Sequence, residues 1–128
     1  MKPINLQQKF DQFNTQWHPH QIAVVDDMQV LLAKLSGTFV WHQHKDEDEL
    51  FYVQKGTLTI HFRKAENPAN VWSETIAPGE IIVVPKGVEH CPTTEEGEEV
   101  HVLLFEKLST AHTGEVQHEK TQTEYPKI

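Results

Sequence analysis

The 128-residue sequence predicts an all-β fold, a sandwich or barrel preceded by one short helix. Three observations carry that expectation. From Pro19 onward, apolar and polar residues alternate with the period of two that turns one strand face inward and the other outward. The alternating runs are short and are punctuated by Ser36-Gly37, Lys55-Gly56, Pro78-Gly79 and Pro85-Lys86-Gly87, where glycine supplies the positive φ of a tight turn. At least seven such runs fall at regular spacing within the length of one domain, which is the grammar of packed antiparallel sheets.

Along the chain, 5–13 reads as a helix, because Leu6, Phe10 and Phe13 share the i, i+4, i+7 face. Asn5 is its expected N-cap, with Gln8 in the capping-box position. Such a short amphipathic element is a prop or lid packed on the outside of something larger. Trp17-His18-Pro19-His20 reads as a loop, and its HxH has no carboxylate nearby. Strands are expected at 28–35, 38–44, 49–54, 57–63, 71–76, 80–84 and 99–105, with 66–70 as a loop and the acidic 95–99 as a charged turn. The polar stretch 109–128 reads as a loosely packed arm or a subunit-crossing extension. The resulting division is 1–20 helix and arm, 21–108 β-barrel, 109–128 C-terminal arm.

Composition narrows the function classes. With 11 Lys+Arg against 19 Asp+Glu, the formal charge is −8. Phosphate backbones and anionic lipid would repel such a domain, so nucleic-acid and membrane partners are not expected. No apolar run approaches the roughly 18–20 residues of a spanning helix, and 1–8 has no signal-peptide core. Cys91 is the lone cysteine, which excludes an intrachain disulfide and fits a reducing, cytoplasmic setting.

The chemistry concentrates in four residues. His42 and His44 project from one face of an extended segment, about two residues' rise apart. The charged turn 45–48 can return the chain so that Glu49 lies beside them, and His90 follows the Pro85-Lys86-Gly87 turn at the end of another strand. Three imidazoles and one carboxylate converging on a point make a site for a first-row transition metal. Such an ion, if octahedral, keeps about two positions for substrate, water or dioxygen. HxH alone is weak evidence. The punctuation strengthens it, since Gly37-(4)-His42-x-His44-(4)-Glu49-(6)-Gly56 is followed by Gly79-(5)-Pro85-x-Gly87-(2)-His90.

This pattern resembles the two motifs of the cupin superfamily over about residues 35–105. It departs by one residue fewer between Gly37 and His42, and by Thr94 where the second motif usually ends in Asn. The resemblance implies a single jelly-roll β-barrel holding a metal inside its mouth, with His42, His44, Glu49 and His90 as ligands. Asp48 is the rival carboxylate. Parity places Glu49 with Phe51 and Val53, and Asp48 with Leu50 and Tyr52. The amphipathic Tyr52 leaves that argument open, and motif position selects Glu49.

Elsewhere simpler roles are expected. Cys91 is a small buried group, His61 faces outward, Trp41 packs away from the metal, and His112 and His118 are solvent-exposed. His101, beside Leu103 and Phe105, is either a satisfied strand histidine or a pocket acid–base group. The implied function is a metal-dependent enzyme on a small molecule, an oxygenase ahead of an isomerase or lyase, with catalytic residues unassigned. The alternatives are a non-catalytic binding or sensing module whose metal is structural or anchors the ligand, and a barrel without metal. Iron, manganese, nickel, zinc and copper all suit the ligand set. A homodimer is expected, because small cupins commonly pair through their sheets and open barrels leave edges to cover.

Overall fold

The computed structural model describes residues 1–114, 116, 118–120 and 124–128. The elements are α1 (Leu6–Phe10), β1 (His20–Val25), β2 (Met28–Leu35), β3 (Glu49–Lys55), β4 (Leu58–Lys64), β5 (Asn67–Ile76), β6 (Ile81–Val84), β7 (Glu89–Thr93) and β8 (Val100–Lys107). They form two antiparallel sheets, β1-β2-β8-β3-β6 and β5-β4-β7. The main core lies between the sheets, built from alternate residues: Leu31, Ala33 and Leu35 of β2, Phe51 and Val53 of β3, Leu58, Ile60 and Phe62 of β4, and Val100, Val102 and Leu104 of β8. Each strand thereby keeps the period-two pattern its sequence carries.

A second, smaller core covers the outer face of the larger sheet. Phe10 and Phe13 pack there on Leu32, with Leu6, Ile22 and Leu103 around them. The helix starts as expected, with Asn5 Oδ1 accepting from the Gln8 amide at 2.9 Å. It ends at Phe10 rather than 13, and five residues are too few to be stable without this packing.

Four expectations change. Segment 38–44 is extended but not a continuous strand; it touches β7 through isolated bridges at Thr38–Thr93 and His42–His90. Phe39 donates to the carbonyl of Pro92, which has no N–H to return, so the ladder breaks there. Of the 66–70 loop, Glu66 is in a turn and 67–70 are instead the start of β5, whose Pro68 is tolerable because β5 is an edge strand. The loop reading of 17–20 ran into β1, which begins at His20. His90 lies near the start of β7, not at the end of a strand.

The described part of 109–128 is not loose. Thr110 and Thr113 are buried, and Tyr125 packs against the main core. Gly114, at φ +60, runs against the Gln43 carbonyl with no room for a Cβ. The end is tied to β1 by Gln21 N–H to Pro126 O at 2.8 Å and Ile128 N–H to Gln21 O at 3.0 Å. Among the described residues no helix is long and apolar enough to cross a membrane.

Candidate metal centre

The site forms where the two layers meet. The 38–44 segment contributes His42 and His44, β7 contributes His90, and the first residue of β3 contributes Glu49 from the opposite sheet. His42 and His90 are locked in register by a reciprocal backbone pair, 3.0 and 2.8 Å. The turn that delivers His90 closes on the 38–44 segment through Gly87 N–H to His44 O at 2.8 Å, with Gly87 at φ +82. That positive φ is the reason for a glycine there.

All four side chains are buried, and one donor atom from each lies within 4.8 Å of the others. His42 Nδ1 lies 2.9 Å from Val40 O, and His90 Nδ1 lies 3.0 Å from Val88 O. Each bond places the ring proton on Nδ1 and leaves the Nε2 lone pair facing the cluster, which is how metal-binding imidazoles are oriented. Glu49 Oε2 stands 3.5 Å from His44 Nε2, and its Oε1 stands 3.6 Å from His90 Nε2. Neither Nε2 completes a hydrogen bond among the described residues. Buried polar atoms without partners cost about 1–3 kcal/mol each. A cation accepting these lone pairs would remove that cost, so the donor set fits a divalent transition metal.

The electrostatics are those of a site prepared for a cation. Burial, then the neighbouring His90, depresses His42 to about 3, so its ring is neutral near pH 7. Burial also works against protonation of His44, but the Glu49 carboxylate outweighs it and raises that group. Glu49 is held below the usual carboxylate range: burial alone would raise it, and the His44 and His90 imidazoles more than reverse this. Asp48, in contrast, is exposed and accepts from the Lys86 amide at 2.9 Å, bracing the turn before β7. Glu49 shares the interior with Phe51 and Val53, as its parity implied.

Beside the cluster lies a cavity of about 30 Å³, walled by Trp17, Leu35, Phe39, Phe51, Val102 and Leu104 together with His42, Glu49, Glu106 and His112. That is space for about two waters. His112 is a correction to the sequence reading: it is half-buried in this wall, its ring 5.1 Å from Phe39 and edge-on to Tyr125. Burial, the largest influence, lowers it to about 4. Its polar neighbours in sequence carried no sign of this placement. Glu106 was also overlooked, although counting by twos from Val102 and Leu104 puts it on the inward face of β8. Burial, and next the Glu49 charge, push its carboxyl well up from the usual range.

The other candidates lie elsewhere. His101 is on the outer face of β8, stacked on Phe10 at 4.8 Å with its Nε2 2.8 Å from Glu99 Oε1, which keeps it out of the cavity, and its buried Nδ1 completes no hydrogen bond among the described residues. His20 stacks on Phe13 at 4.0 Å. Cys91 is buried, which pushes its thiol up. His61 bonds Ser73 Oγ at 2.6 Å, and Trp41 lies under the Arg63 guanidinium at 4.2 Å. His118 is exposed and accepts from the Lys120 amide.

The sequence profile of the cupin domain matches residues 28–106. The Bacillus subtilis (strain 168) protein YdbB is 36% identical over 69 residues, covering 54% of this chain. The chain thus spans 56% of that relative's length. A crystal structure of a cupin-2 domain containing protein from Shewanella frigidimarina NCIMB 400 is 43% identical, with a TM-score of 0.73 over 81% of this chain and 93% of that one. Hydroquinone 1,2-dioxygenase from Sphingomonas sp. TTNP3, solved with 4-hydroxybenzoate bound, shares the fold at 19% identity and TM-score 0.73, over 84% of this chain and 32% of that one. The profile takes in β2 through nearly all of β8, and with them every residue of the buried His–Glu cluster. The chain belongs to the cupin family.

Proposed function

We propose that the protein is a metal-dependent enzyme acting on a small molecule in the sandwich interior, with His42, His44, Glu49 and His90 holding one divalent transition metal. The observation that carries this is the convergence of four buried donors, among which His44 Nε2 and His90 Nε2 have no hydrogen-bond partner among the described residues, and His42 and His90 are aimed by carbonyls of their own segments. When bound, the metal supplies a Lewis acid for a substrate oxygen, and with iron a centre for dioxygen chemistry. The chain does the rest. Val40 and Val88 carbonyls hold the imidazole protons away from the centre. Trp17 and Phe39, stacked at 4.6 Å, form an apolar wall beside it, and Leu104 and Phe51 add to the apolar lining. Trp17 is fixed by its indole N–H to Ser36 O at 2.8 Å.

An oxygenase is favoured over an isomerase or lyase. The small apolar cavity suits dioxygen beside a substrate oxygen, and the like fold of a dioxygenase supports the reading. The test loads metal-free protein with iron, manganese, nickel, zinc or copper and measures bound metal. Dioxygen uptake by the iron form is then followed over small phenols and hydroxy acids. Near-stoichiometric metal and chelator-sensitive uptake are the expected results. A ligand that binds and is returned unchanged would make the protein a binding module, and absence of metal under every loading would end the metal reading.

The carboxylate assignment has its own check. Glu49→Ala is expected to lose the metal, whereas Asp48→Ala, which removes only a turn contact, retains it. Elemental analysis of the two variants side by side decides, and the opposite pattern makes Asp48 the ligand.

A further inference from the structure

A second carboxyl enters the cavity from the strand facing Glu49. Glu106 of β8 is the register partner of Glu49 of β3, and both point between the sheets. Directly opposed residues of antiparallel strands stand about 5 Å apart at Cα, so a molecule with one oxygen at the cluster has this carboxyl within a few bond lengths. Glu106 is 2% exposed, and its Oε2 has no hydrogen-bond partner among the described residues. The buried Thr110 hydroxyl lies against this carboxyl, although neither Thr110 Oγ1 nor Glu106 Oε2 completes a hydrogen bond among the described residues. Folding alone gives no reason for an acid here, since Leu104 and Val102 fill the same face two and four residues earlier. Glu106 is also outside the four-residue donor cluster.

Building on the metal reading above, we propose that Glu106 is a ligand-binding, specificity-determining residue. It takes up a hydroxyl of the small molecule whose other oxygen faces the His–Glu cluster. The site would thereby select small oxygen compounds that carry a hydroxyl in addition to a metal-binding carboxylate or carbonyl. A carboxyl group bonds a hydroxyl in either ionisation state, so the assignment needs only the geometry.

The experiment titrates glycolate and acetate, which differ by one hydroxyl, into the zinc-loaded protein and into Glu106→Leu and Glu106→Gln, with zinc content and thermal melting read on each. In the wild type glycolate is expected to bind more tightly than acetate. That preference falls about tenfold in Glu106→Leu, the scale of one hydrogen bond to a charged or strongly polar buried group, and is largely kept by Glu106→Gln. Chelation of zinc by the hydroxyl contributes equally in all three proteins and cancels in the comparison. Zinc stays near one per chain throughout. An unchanged preference in the leucine variant overturns the proposal, as does equal loss in both variants, which would mean a packing or charge role. Loss of zinc from a folded Glu106→Leu also overturns it, by making Glu106 part of the metal set. A wild type that takes up no zinc overturns the metal reading itself, and with it the ligand orientation assigned here. Glu106→Met gives the same readings if leucine does not fold.

Discussion

Replacing His42 and His90 together by alanine is expected to empty the metal centre while leaving the sandwich folded. Two of the four candidate donors disappear, one from the 38–44 segment and one from β7. Loss of an outer partner of a metal ligand commonly costs 10–100-fold in affinity, and loss of two ligands costs more than that. The fold is protected because these residues pair through their backbones, at 3.0 and 2.8 Å, and alanine keeps both bonds. Removing buried side chains leaves a cavity and some destabilisation. The loss is softened at His90, whose buried Nε2 completes no hydrogen bond among the described residues. Elemental analysis beside circular dichroism checks the expectation. A folded double variant that retains a full equivalent of metal would remove these residues from the ligand set.

Metal-free protein is expected to lose stability as pH falls from about 6.5 toward 4, more steeply than its surface charge explains. His42 has a folded value of about 3 and His112 about 4, against an ordinary 6.5. Between those limits the unfolded chain binds protons that the folded one refuses, so acid favours unfolding. Each unit is about 1.4 kcal/mol, which makes His42 alone a term of several kcal/mol before solvent relaxation reduces it. The His44–Glu49 pair acts the other way. The raised His44 contributes stability present below 6.5 and lost as pH rises through its folded value. The depressed Glu49 contributes above 4.5 and fades only as pH falls through its own lowered value. The buried Glu106 carboxyl, raised by burial and next by the Glu49 charge, acts in the same sense, because acid relieves the cost it imposes above pH 4.5, so the three groups offset part of the His42 and His112 cost near pH 5. Urea midpoints of chelator-treated protein at pH 7.5 and 4.5 measure the balance. A midpoint that is level or higher at pH 4.5 would show that the His44–Glu49 pair and Glu106 together outweigh His42 and His112.

Local rules carried much of the structure. Asn5 caps the helix because its side chain can accept an amide proton three residues on. The positive φ of Gly37, Gly56, Gly79 and Gly87 marks turns that the Gly-containing pairs announced. Parity alone put Glu49 on the side of Phe51 and Val53 and away from Asp48. The set His42, His44, Glu49 and His90 was legible through the resemblance to the two cupin motifs, since strand alternation pairs His42 with His44 but does not reach His90.

By itself, then, the sequence determined the all-β architecture, the family, and which residues could be brought to one point. Tertiary structure decided what surrounds that point. Whether His101 or Glu106 meets the cavity depends on which side of β8 is covered by α1 and which by the opposite sheet. His112 reaches the cavity wall because the chain after β8 turns back across the mouth, with Tyr125 against the core and Lys127 beside Gln21. A polar tail looks the same in sequence whether it hangs in solvent or lies over a cavity, because what covers it is set by contacts with residues about a hundred positions away. Periodicity records the face a side chain takes on its own element, and only the packing of distant elements determines what that face meets.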